Sequence, residues 1–328
     1  MVESLITSGT PCLLSEKGNF IVADLKGRAA LVTGASRGIG RAIAQRLAAE
    51  GLLVAVHYGS QEKAAAETVE AIERVGGEAF PVRADLRRDD AVDTLFAEVE
   101  NRLDGRPLHV LVNNAGVQSP PAPEGAGGKG EDVTSVSGVT AAEFDHLFRI
   151  NVRAPFFIIQ RALRLIGEGG RVINVSSALT RIAWPLLPYA MSKGALEMIA
   201  PRLALELGAR GITVNTVAPG ITATDMNRAM RDVPGVEERI SALTALRRLG
   251  RPGDIAGVVA FLASDEGRWV TGQLVDASGG CASRPPCREA EDEHTSAGTP
   301  PSRGQLAWSA RCRRRVGSSL RRVMFSLR

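Results

Sequence analysis

Cysteine is scarce in this sequence and missing from its middle. The four cysteines are Cys12, Cys281, Cys287 and Cys312, with none between positions 13 and 280. That distribution argues against a disulfide framework and a Cys/His zinc cluster, and no metal site is expected. It also sets a reducing, cytoplasmic compartment as the expectation. No run of about 18 apolar residues occurs, so no membrane-spanning helix is expected. The first residues lack a basic start followed by an apolar stretch, so no secretory signal is expected. Histidine is limited to His57, His109, His146 and His294, none in an evident triad context. Tyrosine is rarer still, with only Tyr58 and Tyr189.

What is present is ordinary for a globular chain. Of 328 residues, 44% are hydrophobic and 23% charged. Such a chain buries a large core without covalent staples. The net charge of +4 and the pI near 9.1 invite a polyanionic partner. Location along the chain removes that invitation. From Cys281 onward there are ten Arg and four acids, a local charge of +6, whereas residues 1–280 hold 30 basic and 32 acidic residues. The last 48 residues are rich in Pro, Ser, Gly and Arg and show no apolar period, so they read as a disordered tail. Arg311-Cys312-Arg313-Arg314-Arg315 lacks the spaced basic pattern of a nucleic-acid binder, and neither nucleic acid nor a membrane is an expected partner.

The organisation is therefore a 1–24 extension, a 25–280 domain and a 281–328 tail. Within the domain, apolar strand-like runs alternate with helix-like stretches. Strands are expected at Ala29–Thr33, Leu52–Val56, Ala79–Arg83, His109–Asn113, Arg171–Val175, Thr213–Ala218 and Leu274–Asp276. Most are apolar on both faces, as strands of a doubly covered parallel sheet must be. Ile39, Ile43 and Leu47 recur every four residues and mark one helix face. Thr140 with Glu143 forms a capping box. The order implies an α/β fold, one doubly wound Rossmann-type domain with about seven parallel strands and helices on both faces.

The first strand runs into Gly34-Ala35-Ser36-Arg37-Gly38-Ile39-Gly40, and a helix follows. Gly34 permits a tight turn, Gly38 admits a pyrophosphate close to the backbone, and Gly40 lets helix pack on strand. The phosphates would sit at the positive end of the helix. The same letters fit G-x-S-x-G, the nucleophile elbow of a hydrolase. Three facts oppose that reading: the match is on the first strand, Gly40 has no job there, and no histidine completes a triad. An acid about 20 residues on would grip the ribose of NAD. Here the second strand ends Val56-His57-Tyr58-Gly59-Ser60, with no acid until Glu62, while Arg37 stands in the loop. A cation without a carboxylate suits a 2′-phosphate, hence NADP(H).

Tyr189 and Lys193 lie four apart on one helix face. A nearby ammonium stabilises a phenolate, so the expectation is a Tyr189 pKa lowered towards neutrality. A phenol so tuned serves as general acid for a carbonyl oxygen that receives hydride. Asn174-Val175-Ser176-Ser177 stands at a strand end shortly before it and offers a hydroxyl to the same oxygen.

These motifs together with Asp85, Asn113-Asn114-Ala115-Gly116, Asn151 and Asn215 through Pro219-Gly220 are ordered as in one family. Over about Leu25–Gly280 the sequence resembles the short-chain dehydrogenase/reductases, in their NADP-preferring branch. The resemblance implies that Tyr189 gives the proton in reduction and takes it in reverse. It implies that Lys193 lowers the pKa of Tyr189 and binds the nicotinamide ribose, and that Ser177 orients the carbonyl. By the same resemblance Asn151 holds a helix kink and a water leading to Lys193. For the dinucleotide it implies the loop residues Gly34, Ser36, Arg37, Gly38, Ile39 and Gly40. It adds Tyr58, Leu86 and Gly116, with Asp85 meeting the adenine amino group and Asn113 and Ala115 lining the adenosine side. Pro219 and Gly220 belong to the same cofactor set, and after them Ile221 and Thr224 would face the nicotinamide carboxamide. For Asn113, strand-end hydrogen bonding is an alternative reading.

The sequence departs from the family in three places. Tyr189 follows Ser177 by twelve residues, one fewer than is usual, which leaves Ser176 as a second candidate. Pro201 should kink the helix after Tyr189. Val117–Val139 is long and rich in Gly and Pro and reads as a mobile loop. The expected activity is NADPH-dependent, reversible reduction of a ketone. In motif wording it is most like a 3-oxoacyl-thioester reductase. Reduction of a sugar, steroid or polyketide ketone is the alternative, and a non-catalytic dinucleotide sensor is the rival from another class. The expected partners are a small-molecule or thioester carbonyl substrate and further copies in a homodimer or homotetramer.

Overall fold

The apolar runs become strands because both of their faces are covered. The computed structural model describes residues 25–118, 138–182 and 186–281. The 1–24 extension, residues 282–328 of the tail, and residues 119–137 of the glycine-rich segment lie outside the described residues. All seven expected strands are present: β1 Ala29–Val32, β2 Leu53–Tyr58, β3 Glu78–Arg83, β4 Leu108–Asn113, β5 Ile166–Val175, β6 Thr213–Pro219 and β7 Leu274–Ala277. β5 begins five residues earlier than its apolar run suggests, because Gly167-Glu168-Gly169-Gly170 carries no strand signal in its side chains.

The strands form one parallel sheet in the order β3-β2-β1-β4-β5-β6-β7. Among the described residues ten α-helices accompany them: α1 Gly38–Ala49, α2 Glu62–Glu73, α3 Ala91–Leu103, α4 Ala141–Phe148, α5 Ala154–Ala162, α6 Leu187–Glu197, α7 Ile199–Leu207, α8 Arg228–Arg231, α9 Val236–Ala242 and α10 Pro252–Ala263. Side chains alternate across each strand, so the sheet has two cores. On one face Val110, Val112 and Ile173 pack with Ile43, Leu47 and Val259 of α1 and α10. On the other, Leu111 and Val172 pack with Leu95, Phe96 and Ile158 of α3 and α5. Burying each such side chain contributes about 1.5–3 kcal/mol.

Three local expectations resolve here. The capping box forms at α4, with Thr140 and Glu143 each bonding the other's backbone N–H. The helix after Tyr189 does not bend at Pro201 but divides one turn earlier, at Met198, into α6 and α7. Proline at 201 cannot donate to the carbonyl one turn back, at Glu197, and that is where the helix parts. Between α4 and α5, residues Arg149–Arg153 form a π-helical turn around Asn151. The strand order reverses between β1 and β4, and in open parallel sheets the ligand crevice forms at the carboxyl ends there.

Candidate active site

Both loops that flank this crevice belong to the predicted motifs. After β1, Gly34 and Gly38 take φ of 64° and 56°, left-handed values that favour glycine. Thr33 ties the two loops together: its hydroxyl accepts from the Asn114 and Ala115 amides at 3.0 Å each. The Asn114 side chain returns two bonds, to the carbonyls of Thr33 at 2.9 Å and Gly34 at 3.1 Å. The loop thus presents its backbone amides at the N-terminus of α1, with Ser36 buried and Ile39 half-buried.

Arg37 is the N-cap residue of α1 and is exposed. Among the described residues its guanidinium has no hydrogen-bond or ion-pair partner. Arg41, one turn on, is held by the Ser36 carbonyl at 2.8 Å and the Thr68 hydroxyl at 2.9 Å. Arg37 is therefore the cation of this loop that can turn towards a ligand. After β3, Asp85 is gripped by Arg87 through two bonds of 2.8 and 2.7 Å, which holds its carboxyl below the usual range. Leu86 beside it is buried, as is Tyr58 at the end of β2. Asn113 is 1% exposed and donates to Asn174 at 3.0 Å across β4 and β5. It fastens strand ends, as its alternative reading held, and Ala115 and Gly116 carry the loop past it. On the far side, Pro219 ends β6 and Gly220 lies against Ser278. Ile221 and Thr224 follow, and the Thr224 methyl lies 3.3 Å from where a Cβ on Gly38 would be.

His57 is a member of this constellation that sequence reasoning missed. The Gly34 amide donates to its Nδ1 at 3.1 Å, so its Nε2–H donates to the Ala84 carbonyl at 2.9 Å. The neutral ring thus clamps the glycine loop to the end of β3. Burial pulls its pKa down to about 4, and burial beside Arg28 and Arg171 does the same to His109. Unfolded histidines take up a proton near pH 6.5, but these two do so only near pH 4 in the fold. Stability is therefore full above pH 6.5 and falls as pH drops from 6.5 towards 4, by about 3 kcal/mol per histidine. Urea midpoints measured from pH 7 to 4 should show that slope, and His57→Asn should remove about half of it, leaving the share of His109.

The chemical centre lies where the two loops meet α6. Tyr189 and Lys193 are buried on one face of that helix. The Lys193 Nζ donates to the Val175 carbonyl at 2.9 Å and lies 5.9 Å from the centre of the Tyr189 ring. A Cβ on Gly116 would come within 3.1 Å of that Nζ and 3.3 Å of the Asn151 Oδ1. Asn151 pairs with the Val117 backbone through two 2.9 Å bonds and donates to Ser192 at 3.0 Å. Its side chain thus pins the π-helical turn to the loop after β4. Ser177 lies near enough to the Tyr189 phenol to ease its ionisation slightly, and its hydroxyl accepts from the Leu179 amide at 3.2 Å. Ser176 faces the other way, donating to Glu197 at 2.7 Å. Between the two serines, the geometry favours Ser177.

One expectation is reversed. Burial pushes the Tyr189 phenol up to about 12 instead of down, with Ser177 pulling slightly back. The Lys193 ammonium is itself pulled down to about 8 by burial, with Glu197 opposing. Desolvation of the phenolate outweighs an ammonium directed at a backbone carbonyl. The phenol consequently keeps its proton at neutral pH, which is the state a proton donor needs. An alkoxide is a stronger base than a phenolate, so a proton passed from Tyr189 to a newly formed alkoxide moves downhill. Among the described residues no cluster could hold a metal ion and no helix is long and apolar enough to cross a membrane.

Comparison with known proteins finds relatives over most of the chain. A family model described as Enoyl-(Acyl carrier protein) reductase matches residues 34–282. Versicolorin reductase of Emericella nidulans is 37% identical over 270 residues, covering 78% of this chain and 96% of that protein. The solved structure of the angucycline C-6 ketoreductase LanV with bound NADP is 50% identical, with a TM-score of 0.70 over 79% of this chain and 96% of that one. The promiscuous reductase LugOII of lugdunomycin biosynthesis is 48% identical, with a TM-score of 0.71 over 79% of this chain and 99% of that one. With its site and its sequence in agreement, this chain belongs to the short-chain dehydrogenase/reductase family.

Proposed function

We propose that the protein is an NADPH-dependent ketoreductase whose substrate is a ketone on a fused-ring, polyketide-type skeleton. The observation that carries the chemistry is the convergence of Asn151, Ser177, Tyr189 and Lys193 beside Gly116, at the end of the dinucleotide crevice. When bound, the dinucleotide supplies the hydride. Ser177 and Tyr189 receive the carbonyl oxygen, and Tyr189 protonates it. Lys193 stabilises the phenolate left behind, and Asn151 holds the segment that borders Lys193. The choice of skeleton is supported by the likeness to LanV, LugOII and versicolorin reductase. A 3-oxoacyl thioester is the second reading, favoured by the motif wording Val217-Ala218-Pro219-Gly220 and Thr224-Asp225-Met226, while the matched family is described by a carrier-protein-bound enoyl group. The two separate in one assay: NADPH consumption with a fused-ring aromatic ketone against an acetoacetyl thioester. Faster turnover of the thioester would overturn the choice of skeleton but not the chemistry.

The preference for NADPH rests on Arg37, unpaired and exposed at the start of α1, and on the absence of a carboxylate at the end of β2. Arg37→Ala removes a charge-assisted bond of about 1.5–3 kcal/mol to the 2′-phosphate. The expected result is a KM for NADPH raised roughly 10- to 100-fold with the KM for NADH nearly unchanged. Equal losses with both dinucleotides would show that Arg37 does not read the phosphate.

A further inference from the structure

Tyr189, Lys193 and Glu197 recur at intervals of four along α6 and so lie on one stripe of the helix. The first two belong to the site above, and the third has no role there as proton donor or ligand. Its Oε1 accepts from the Ser176 hydroxyl at 2.7 Å and from the Thr180 hydroxyl at 2.9 Å. Both donors stand on the turn that leaves β5, with Ser177 between them. Each hydroxyl also has a weaker backbone acceptor in reach: the Lys193 carbonyl lies 3.3 Å from Ser176, and the Ser177 carbonyl 3.0 Å from Thr180. A hydroxyl has one proton, and the charged oxygen at shorter range takes the stronger bond.

We infer that Glu197 is a positioning residue for the reduction, fixing the Ser177 turn against the helix that carries Tyr189 and Lys193 and keeping Lys193 charged. The inference rests on the reading of Tyr189 as proton donor. The turn itself folds locally, through Leu179 N–H to the Ser177 hydroxyl at 3.2 Å and Arg181 N–H to the Ala178 carbonyl at 3.0 Å. Those bonds would survive without Glu197. What they do not set is where the turn sits along α6. That register decides whether the Ser177 hydroxyl and the Tyr189 phenol reach one substrate oxygen. Glu197 sets it with a carboxylate bonded to residues on both sides of Ser177.

The same carboxylate acts on Lys193 through its charge. Glu197 and Tyr189, both on α6, are the titratable groups against Lys193 among the described residues. β5 faces it with the Val175 carbonyl, the loop after β4 with Gly116, and the π-helical turn with Asn151, none of which titrates. Burial disfavours the ammonium, and Glu197 is the anion that offsets this.

Two variants of the full chain separate the two effects. Glu197→Gln keeps an acceptor oxygen and removes the charge, whereas Glu197→Ala removes both. In Glu197→Gln the basic limb of the kcat–pH profile should move ~0.5–1 unit lower, with kcat near pH 6 within about threefold of the parent. In Glu197→Ala kcat should fall roughly 10- to 100-fold with the NADPH dissociation constant little changed, because the loss is at the carbonyl and not at the phosphates. A limb that stays in place in Glu197→Gln overturns the inference, as does a Glu197→Ala kcat within about twofold of the parent. If Glu197→Ala does not fold, the Glu197→Gln profile still decides. Tyr189→Phe is the control in the same assay. Full activity there would overturn the proton-donor reading itself, whereas an inactive Tyr189→Phe beside unaffected Glu197 variants would overturn the role of Glu197 alone.

Discussion

Tyr189→Phe should lower kcat for ketone reduction by ~10³-fold, within the range a positioned general acid contributes. The residue is 9% exposed, and its ring is enclosed whether or not the hydroxyl is present. Phenylalanine keeps the ring and its packing and loses only the hydroxyl with its proton. Stability and NADPH affinity should therefore stay close to those of the parent, so the loss falls on kcat and not on folding. Single-turnover kinetics with bound NADPH, together with a fluorescence titration of the dinucleotide, make the distinction. A comparable fall in NADPH affinity would mean that Tyr189 organises the dinucleotide site instead of the chemistry.

Gly40→Ala should have the next largest effect, and on a different quantity. A Cβ at position 40 would land on the Gly34 carbonyl oxygen and lie 2.5 Å from the Asn114 Nδ2. Neither group is free to retreat. Asn114 Nδ2 is already bonded to the Thr33 and Gly34 carbonyls, and the Gly34 amide is held by His57. The first turn of α1 must therefore move away from the loop whose amides would hold the phosphates. Overpacking of this kind costs about 1–3 kcal/mol of stability. A shift of the amide cradle by a fraction of an ångström should lower NADPH affinity by roughly 100-fold or more, since several charge-assisted bonds weaken together. Thermal unfolding and dinucleotide titration read the two effects separately. On stability Gly38→Ala should be milder. It meets only the Thr224 methyl at 3.3 Å and bears a left-handed backbone penalty of about 1 kcal/mol.

These predictions differ in how far the sequence foreshadows them. The strands are legible because a doubly covered parallel sheet needs apolar residues on both faces; β1 supplies them without interruption, and in β4 only His109 and the terminal Asn113 break the run. The glycine loop and the Tyr189–Lys193 pair are legible because each is a short-range pattern whose chemistry depends on spacing alone. His57 is not, because its partners, Gly34 and Ala84, are 23 and 27 residues away, and only the sheet brings them together. Glu197 falls between these cases. Its place on the Tyr189–Lys193 stripe can be counted in the sequence, but its bonds to Ser176 and Thr180 depend on how the turn after β5 meets α6. The charge states followed neither rule. Spacing suggested an ammonium that lowers the phenol, whereas in the fold the lysine turns to the Val175 carbonyl and burial dominates. Spacing fixes which groups are neighbours. Solvation fixes which protonation state wins, and solvation is a property of the packed protein.

The central claim is that Tyr189, set between Ser177 and Lys193, protonates a ketone oxygen in an NADPH-dependent reduction. The most direct test follows loss of the reduced-nicotinamide absorbance by the full chain with a fused-ring aromatic ketone, for the parent and Tyr189→Phe in parallel. The account predicts stoichiometric formation of the secondary alcohol with NADPH by the parent and almost none by the variant, although both bind the dinucleotide equally. Alcohol formed at the same rate by both proteins would contradict it.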